Sequence, residues 1–104
     1  MPSRAIFLEP EGRLSIQDID EIYEPSGSQS LVKVRYSAIN PADIRHSFMG
    51  LHGSVTGYEF AGDVIKVGPE SPFQDGQVVF GMSRVAAGKP KHVGSHQDYL
   101  LAEA

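Results

Sequence analysis

The chain has 104 residues, a formal net charge of −4 and no cysteine. This length provides for a single domain, and the acidic balance disfavours a nucleic-acid partner, which would normally be met by a basic patch. Without cysteine there are no disulfides and no cysteine-based metal sites. The apolar runs are too short for a signal peptide or a membrane-spanning helix, so we expect a cytoplasmic protein with no membrane partner.

The start of the chain predicts a β-hairpin. Residues 4–9 and 14–19 alternate apolar and polar side chains, and Pro-Glu-Gly at 10–12 between them is a turn signal. A third strand is predicted over 31–39, where β-branched and aromatic residues alternate with charged ones. Strict alternation would place Leu31, Lys33, Arg35 and Ser37 on one face and Val32, Val34, Tyr36 and Ala38 on the other.

A short helix is predicted directly after this strand, over about 41–49. Asn40 is a favoured N-cap residue and Pro41 suits the first helical position. Asp43 places a negative charge near the positive end of the helix dipole. Gly50 is a typical residue for the end of a helix.

The second half of the chain predicts further strands. The segment 57–69 alternates in its second half, and Gly57 and Gly62 within it indicate bulges or a close approach of two backbones. Two more short strands are expected at 77–80 and 98–102. The segment between them, 81–97, is expected to be a long, weakly patterned loop. Short strands with turns between them and one brief helix predict a mainly β domain, either a small barrel or a sandwich.

Four segments, in this order, resemble the N-terminal domain of the zinc-independent medium-chain dehydrogenases/reductases. They are VRYSAINPAD at 34–43, GYEFAGDVIKVG at 57–68, DGQVVFG at 75–81 and QDYLL at 97–101. The resemblance implies one GroES-like domain over 1–104, a partly open β-barrel, with the family's Rossmann domain absent. Asn-Pro-Ala-Asp together with the long loop is most similar to the fungal polyketide trans-enoyl reductase and ToxD-like branch.

The resemblance also implies that no zinc is bound. Zinc alcohol dehydrogenases hold the metal through a cysteine and a histidine, whose positions correspond to Asn40 and Tyr58 here. An amide and a phenol are poor zinc ligands. The proton-relay positions correspond to Ala42, which has no exchangeable proton, and to Arg45, which stays protonated. We expect the histidines to be surface or loop residues rather than ligands: His46, His52, His92 and His96.

The implied activity is NADPH-dependent reduction of an activated C=C bond in an enoyl thioester or enone, by hydride transfer. The substrate is expected to be a small molecule, free or bound to a carrier protein. In the resembling enzymes the start of the short helix faces the nicotinamide, so the candidate cofactor-binding residues are Asn40, Pro41, Ala42 and Asp43. Tyr58 and Glu59 are candidates for lining the substrate cleft, with packing inside the barrel as the alternative. No catalytic residue is identified.

Two other interpretations stay open. The chain also fits a truncated, inactive gene product, because the family's nucleotide-binding half would follow this domain. It also fits a stand-alone GroES-like binding module, although the segment 81–97 lacks the hydrophobic anchor of a co-chaperonin loop. We predict that these residues alone neither bind NADPH tightly nor turn over a substrate. The oligomeric state is left open.

Overall fold

The computed structural model describes residues 3–9, 13–20, 22–39, 54–82 and 94–103. The strands in these ranges are β1 (Ser3–Leu8), β2 (Leu14–Ile19), β3 (Ser30–Ser37), β4 (Ser54–Val55), β5 (Glu59–Val67), β6 (Val78–Met82) and β7 (Tyr99–Ala102). The prediction of a mainly β domain is therefore confirmed. The predicted helix at 41–49 lies outside the described residues. In the part of the chain that is described, no helix has the length and apolar character needed to cross a membrane.

The strands form two antiparallel sheets, with strand orders β2-β1-β4 and β6-β5-β3-β7. The predicted hairpin is confirmed, because β1 pairs with β2 from Ser3 opposite Ile19 to Leu8 opposite Leu14. β4 adds to the other edge of β1. It was not predicted from the sequence, because two residues are too few to show a strand periodicity.

The segment that precedes β7 joins the two sheets. The backbone N–H of Ile6 in β1 donates to the carbonyl of His96 at 2.9 Å, and that of Asp98 donates to the carbonyl of Arg4 at 3.3 Å. On the other side, the N–H of Val34 in β3 donates to the carbonyl of Asp98 at 2.9 Å. This end of the predicted long loop is therefore hydrogen-bonded to both sheets.

Apolar side chains are buried in two clusters on opposite faces of the four-stranded sheet, because neighbouring residues of a strand point to opposite faces. One cluster lies between the sheets and consists of Ala5, Phe7, Ile19, Tyr23, Leu31, Val55 and Leu101, with Tyr99 packed against it. The other consists of Val32, Val64 and Leu100, with Val34, Phe60, Phe73, Val79 and Ala102 packed against it. Removal of this apolar surface from water is the main stabilising contribution to the fold.

β3 departs from the strict alternation predicted for it. Its register on β5 shifts between Leu31 and Val32 and again between Val34 and Tyr36. Arg35 is the extra residue of the second shift, and an extra residue reverses the faces of the side chains that follow it. The predicted face shared by Val32, Val34 and Tyr36 is therefore wrong, and Tyr36 is 74% exposed.

The observed strand limits differ from the predicted ones by a residue or two, except in β2, where they coincide. The largest consequence is in β6, which includes Gly81 and Met82. These residues were predicted to begin the long loop. Strand ends depend on which neighbouring strand is available for pairing, and the periodicity of one strand carries no such information.

Two glycines permit the close contacts that the sequence predicted for them. Gly57 has φ of +100°, and a Cβ there would overlap Ser95 Oγ. A Cβ at Gly62 would overlap the carbonyl oxygen of Lys33 in the neighbouring strand β3. The first glycine sets the backbone turn directly before β5, and the second lets β3 and β5 approach beside the second register shift.

Candidate functional site

The end of β3 and the beginning of β5 lie side by side. Ser37 is paired with Phe60, and the N–H of Ala38 donates to the carbonyl of Glu59 at 3.3 Å. The two cleft candidates, Tyr58 and Glu59, therefore lie next to the point where β3 ends.

The candidate cofactor residues Asn40, Pro41, Ala42 and Asp43 lie outside the described residues. The residue directly before them, Ile39, is 92% exposed. The described range therefore reaches a solvent-exposed residue directly after Ala38, whose N–H is hydrogen-bonded to Glu59.

The positions of Tyr58 and Glu59 are set by the residues on both sides of them. Before them, Gly57 accepts a hydrogen bond at 3.3 Å from the N–H of Ser95. After them, Glu59 is the first residue of β5 and is paired with Met82, the last residue of β6. Both candidate side chains are half-buried, and neither belongs to the two buried clusters.

A serine–histidine pair lies close to the same strand ends. Ser37 Oγ and His96 Nδ1 are 2.7 Å apart, and the N–H of His96 donates to the carbonyl of Thr56 at 2.9 Å. The pair lines an open depression of about 380 Å³, together with Arg4 and Asp98. From sequence, His96 is expected among the surface or loop histidines, because no local pattern links two residues that are 59 positions apart.

Neither cleft candidate lines this depression. The depression lies between β1 and the end of β3, whereas Glu59 is paired with Met82 of β6, on the edge of β5 away from β3. Within the described ranges, no group of three or more His, Cys, Asp or Glu side chains is placed to hold a metal ion.

β6 lies along the edge of β5 that is away from β3, and it carries exposed apolar side chains. Val78, Phe80 and Met82 of β6 are 64%, 88% and 76% exposed, respectively. Alternate residues of a strand share a face, so these three project from the same face of the sheet. None of the three is a candidate from sequence, because the predicted strand ends at Phe80 and carries no predicted site. An alternation of exposed apolar residues on an edge strand is the signal that could have identified them.

The family profile described as "Alcohol dehydrogenase GroES-like domain" matches residues 26–104. In sequence, the chain is 31% identical over 103 residues to the trans-enoyl reductase traG of Penicillium crustosum. This alignment covers 96% of this chain and 28% of that protein. It is 36% identical over 86 residues to a zinc-type alcohol dehydrogenase-like protein of Staphylococcus epidermidis, covering 80% of this chain and 24% of that protein. The chain thus spans about a quarter of the length of these relatives.

In structure, the chain is similar to an alcohol dehydrogenase superfamily protein from Novosphingobium aromaticivorans, with a TM-score of 0.81, 24% identity, and 99% of this chain and 32% of that chain covered. It is also similar to the quinone oxidoreductase of Coxiella burnetii, with a TM-score of 0.76, 25% identity, and 99% and 35% covered. The GroES-like fold expected from the sequence is confirmed by these matches. The chain belongs to the alcohol dehydrogenase GroES-like domain family, as an N-terminal domain of the medium-chain dehydrogenase/reductase type.

Proposed function

We propose that the chain is the substrate-side domain of an NADPH-dependent, zinc-independent oxidoreductase that reduces an activated C=C bond. Relatives named trans-enoyl reductase support this assignment, with 31%, 30% and 34% identity over 96%, 94% and 90% of this chain. The substrate class we favour is an enoyl thioester. A small enone or quinone is the alternative, and the similarity to a quinone oxidoreductase structure keeps it in the experiment below.

The observation that carries the proposal is the pairing of the end of β3 with the start of β5. This pairing puts Tyr58 and Glu59 beside the strand end that leads to Asn40 and Asp43. When bound, the nicotinamide supplies the hydride. In the proposed site, Asn40 and Asp43 orient its reactive end. Tyr58 contributes a phenol, the kind of donor that stabilises negative charge developing on a carbonyl oxygen.

Zinc independence is proposed from the donor set. The positions that hold zinc and relay a proton in the zinc enzymes carry Asn40, Ala42, Arg45 and Tyr58 in this sequence. Zinc is held in proteins by thiolate, imidazole or carboxylate groups, and the two ligand positions offer an amide and a phenol instead. Reduction of a C=C bond conjugated to a carbonyl proceeds with hydrogen-bond donors in place of a Lewis acid.

The experiment is a chimera in which these 104 residues replace the matching segment of the Penicillium crustosum relative. We expect NADPH oxidation with crotonyl-N-acetylcysteamine thioester, at a rate unchanged by a zinc chelator. Asn40→Ala should raise the KM for NADPH by roughly tenfold, the effect of losing one hydrogen bond. Gln74→Ala, at an exposed position in the β5–β6 connection, is the matched control and should leave the KM unchanged.

The proposal is wrong if the folded, NADPH-binding chimera reduces no enoyl thioester, or if the chelator abolishes its activity. Faster turnover of a benzoquinone than of the thioester would favour the alternative substrate. NADPH added to the chain by itself should show no binding at micromolar concentration. Micromolar binding would contradict our view that the nucleotide site is supplied from outside these residues.

A further inference from the structure

The exposed apolar side chains of β6 continue across the sheet into one patch. Direct pairing places Phe80 opposite Ala61 of β5, and Ala61 opposite Tyr36 of β3. Directly paired residues lie on the same face of a sheet. Tyr36, Ala61 and Phe80 therefore form a row across three strands, with Met82 and Val78 on either side of it along β6. We call these five residues the apolar patch.

The patch begins at the candidate site. Met82, at one end, is paired with Glu59, which follows Tyr58 in the chain. Tyr36 lies at the same end of β3 as Ser37, the last residue of the strand. A molecule whose reactive end lay beside Tyr58 and Glu59 would have the apolar patch directly next to it.

Charged groups lie at the other end of the apolar patch and limit its extent. Val78 is paired with Asp63, which accepts a hydrogen bond at 2.7 Å from Arg35 Nε. Lys33 is paired with Asp63 from the other side. An apolar chain gains nothing by extending over an ion pair that would lose its hydration. The patch thus has a defined length, from Met82 to Val78.

The size of the patch suits a small apolar ligand better than a second protein. Four residue steps along β6 span about 13 Å, and three strands span roughly 10 Å across. The projected area is on the order of 100–200 Å², whereas a stable protein–protein interface needs about 800 Å² from each partner. A patch of this area is within the range common on protein surfaces, so its position next to Met82 and Glu59, at the edge of the candidate site, is what points to a ligand.

We propose that the apolar patch binds the acyl chain of the substrate, so that the substrate class is an enoyl thioester of medium or longer chain length. This inference rests on the proposed function for its reactive end. The thioester would lie beside Tyr58 and Glu59, and the chain would run over Met82 and Phe80 towards Val78. The residue that sets chain-length preference is Phe80, at the centre of the patch and 88% exposed.

The test measures binding without turnover. Butyryl- and octanoyl-N-acetylcysteamine thioesters contain no C=C bond to reduce, so each can be titrated into the chain while backbone amide and methionine methyl NMR shifts are followed. Full burial of a methylene strengthens binding by roughly fourfold. An open face buries about half of each methylene, which is roughly twofold in affinity, so four additional methylenes should tighten octanoyl binding by roughly 15-fold over butyryl. The largest shifts should fall on β6 and on the Met82 methyl.

Two matched variants distinguish binding at the apolar patch from non-specific binding to exposed apolar residues. Phe80→Gln should reduce the octanoyl-to-butyryl ratio to less than about threefold, because a polar amide replaces the central ring. Ile16→Gln changes an exposed apolar residue of β2, in the other sheet, and should leave the ratio unchanged. Amide shift dispersion like that of the unchanged chain shows that each variant is folded.

Equal affinity for the two thioesters, or shifts centred on β2 or on the depression beside Ser37, would overturn the inference. So would β6 shifts that depend on protein concentration without ligand, because they would show that the patch binds a second copy. A chimera that fails to reduce enoyl thioesters while the chain still binds octanoyl over butyryl at β6 would contradict the proposed function alone.

Discussion

The two ends of the β3–β5 pair differ in what covers them. At the end that contains Val32 and Val64, β7 pairs with the outer edge of β3, and both valine side chains have no exposed surface. At the end that contains Tyr36 and Ala61, β7 no longer continues, and the aromatic ring is exposed to solvent. Both ends are rich in apolar residues. Tyr36 and Ala61 also lie on the face opposite to Val32 and Val64, because the extra residue Arg35 reverses the faces beyond it. The difference therefore comes from how the strands pair, and not from the composition of the two strands themselves.

The two ends of this strand pair therefore contribute to different properties, one to the stability of the fold and the other to the candidate site. The covered end removes large aliphatic side chains from water and so stabilises the fold. The exposed end leaves apolar side chains beside the candidate site, where they add little to folding. Substitutions at the two ends should consequently have effects of different kinds.

The largest expected effect is that of Leu100→Ala at the covered end. Leu100 is 1% exposed and is paired with Val32, so its truncation leaves a cavity between strands that cannot collapse freely. We expect a loss of about 2–5 kcal/mol in the free energy of unfolding, measured by urea denaturation. Ile16→Ala, at a position 65% exposed in β2, is the control and should change stability by less than about 0.5 kcal/mol. Similar losses for the two variants would contradict the asymmetry of burial.

A smaller effect is expected from alanine at Gly62, between the two ends. The new Cβ would overlap the carbonyl oxygen of Lys33 and lie 2.8 Å from Val32 Cγ1. The β3 backbone would have to move, at a cost of roughly 1–3 kcal/mol in the free energy of unfolding. Thermal unfolding should show a Tm lowered by roughly 4–8 °C for each kcal/mol lost.

Gly81→Ala is the matched control in the neighbouring strand at the exposed end. Its Cβ would meet the end of the Phe60 ring at 3.2 Å, and a side chain can turn away where a backbone carbonyl cannot. Its loss of free energy should be smaller than that of Gly62→Ala, because only the Phe60 ring has to move. The reduced conformational entropy of the unfolded chain is common to both substitutions and cancels in the comparison. An equal loss at both glycines would show that the backbone approach at Gly62 is not the reason for its glycine.

Sequence periodicity was sufficient to predict most of the strands, but not their neighbours. β2 was predicted to the residue, because its alternation is local. The reversal of faces at Arg35 depends on pairing with β5, and the exposure of Phe80 depends on β6 being an edge strand. Neither property is encoded in the local pattern. The same limit applies to the site, where Tyr58 and Glu59 were identified by resemblance and the Ser37–His96 contact only by the fold.

The smallest expected effect concerns Arg35, at the boundary between the two ends. Its Nε lies 2.7 Å from Asp63 Oδ2, with the Arg35 side chain 59% exposed, and exposed ion pairs of this kind contribute about 0.2–1 kcal/mol. Arg35→Gln should lower the free energy of unfolding by no more than this amount, and by less at 1 M salt than at 0.05 M, because salt screens the pair. Urea denaturation at the two salt concentrations measures both values. If the loss were as large as that of Leu100→Ala, Arg35 would be holding the β3 bulge in place rather than only marking the charged limit of the apolar patch.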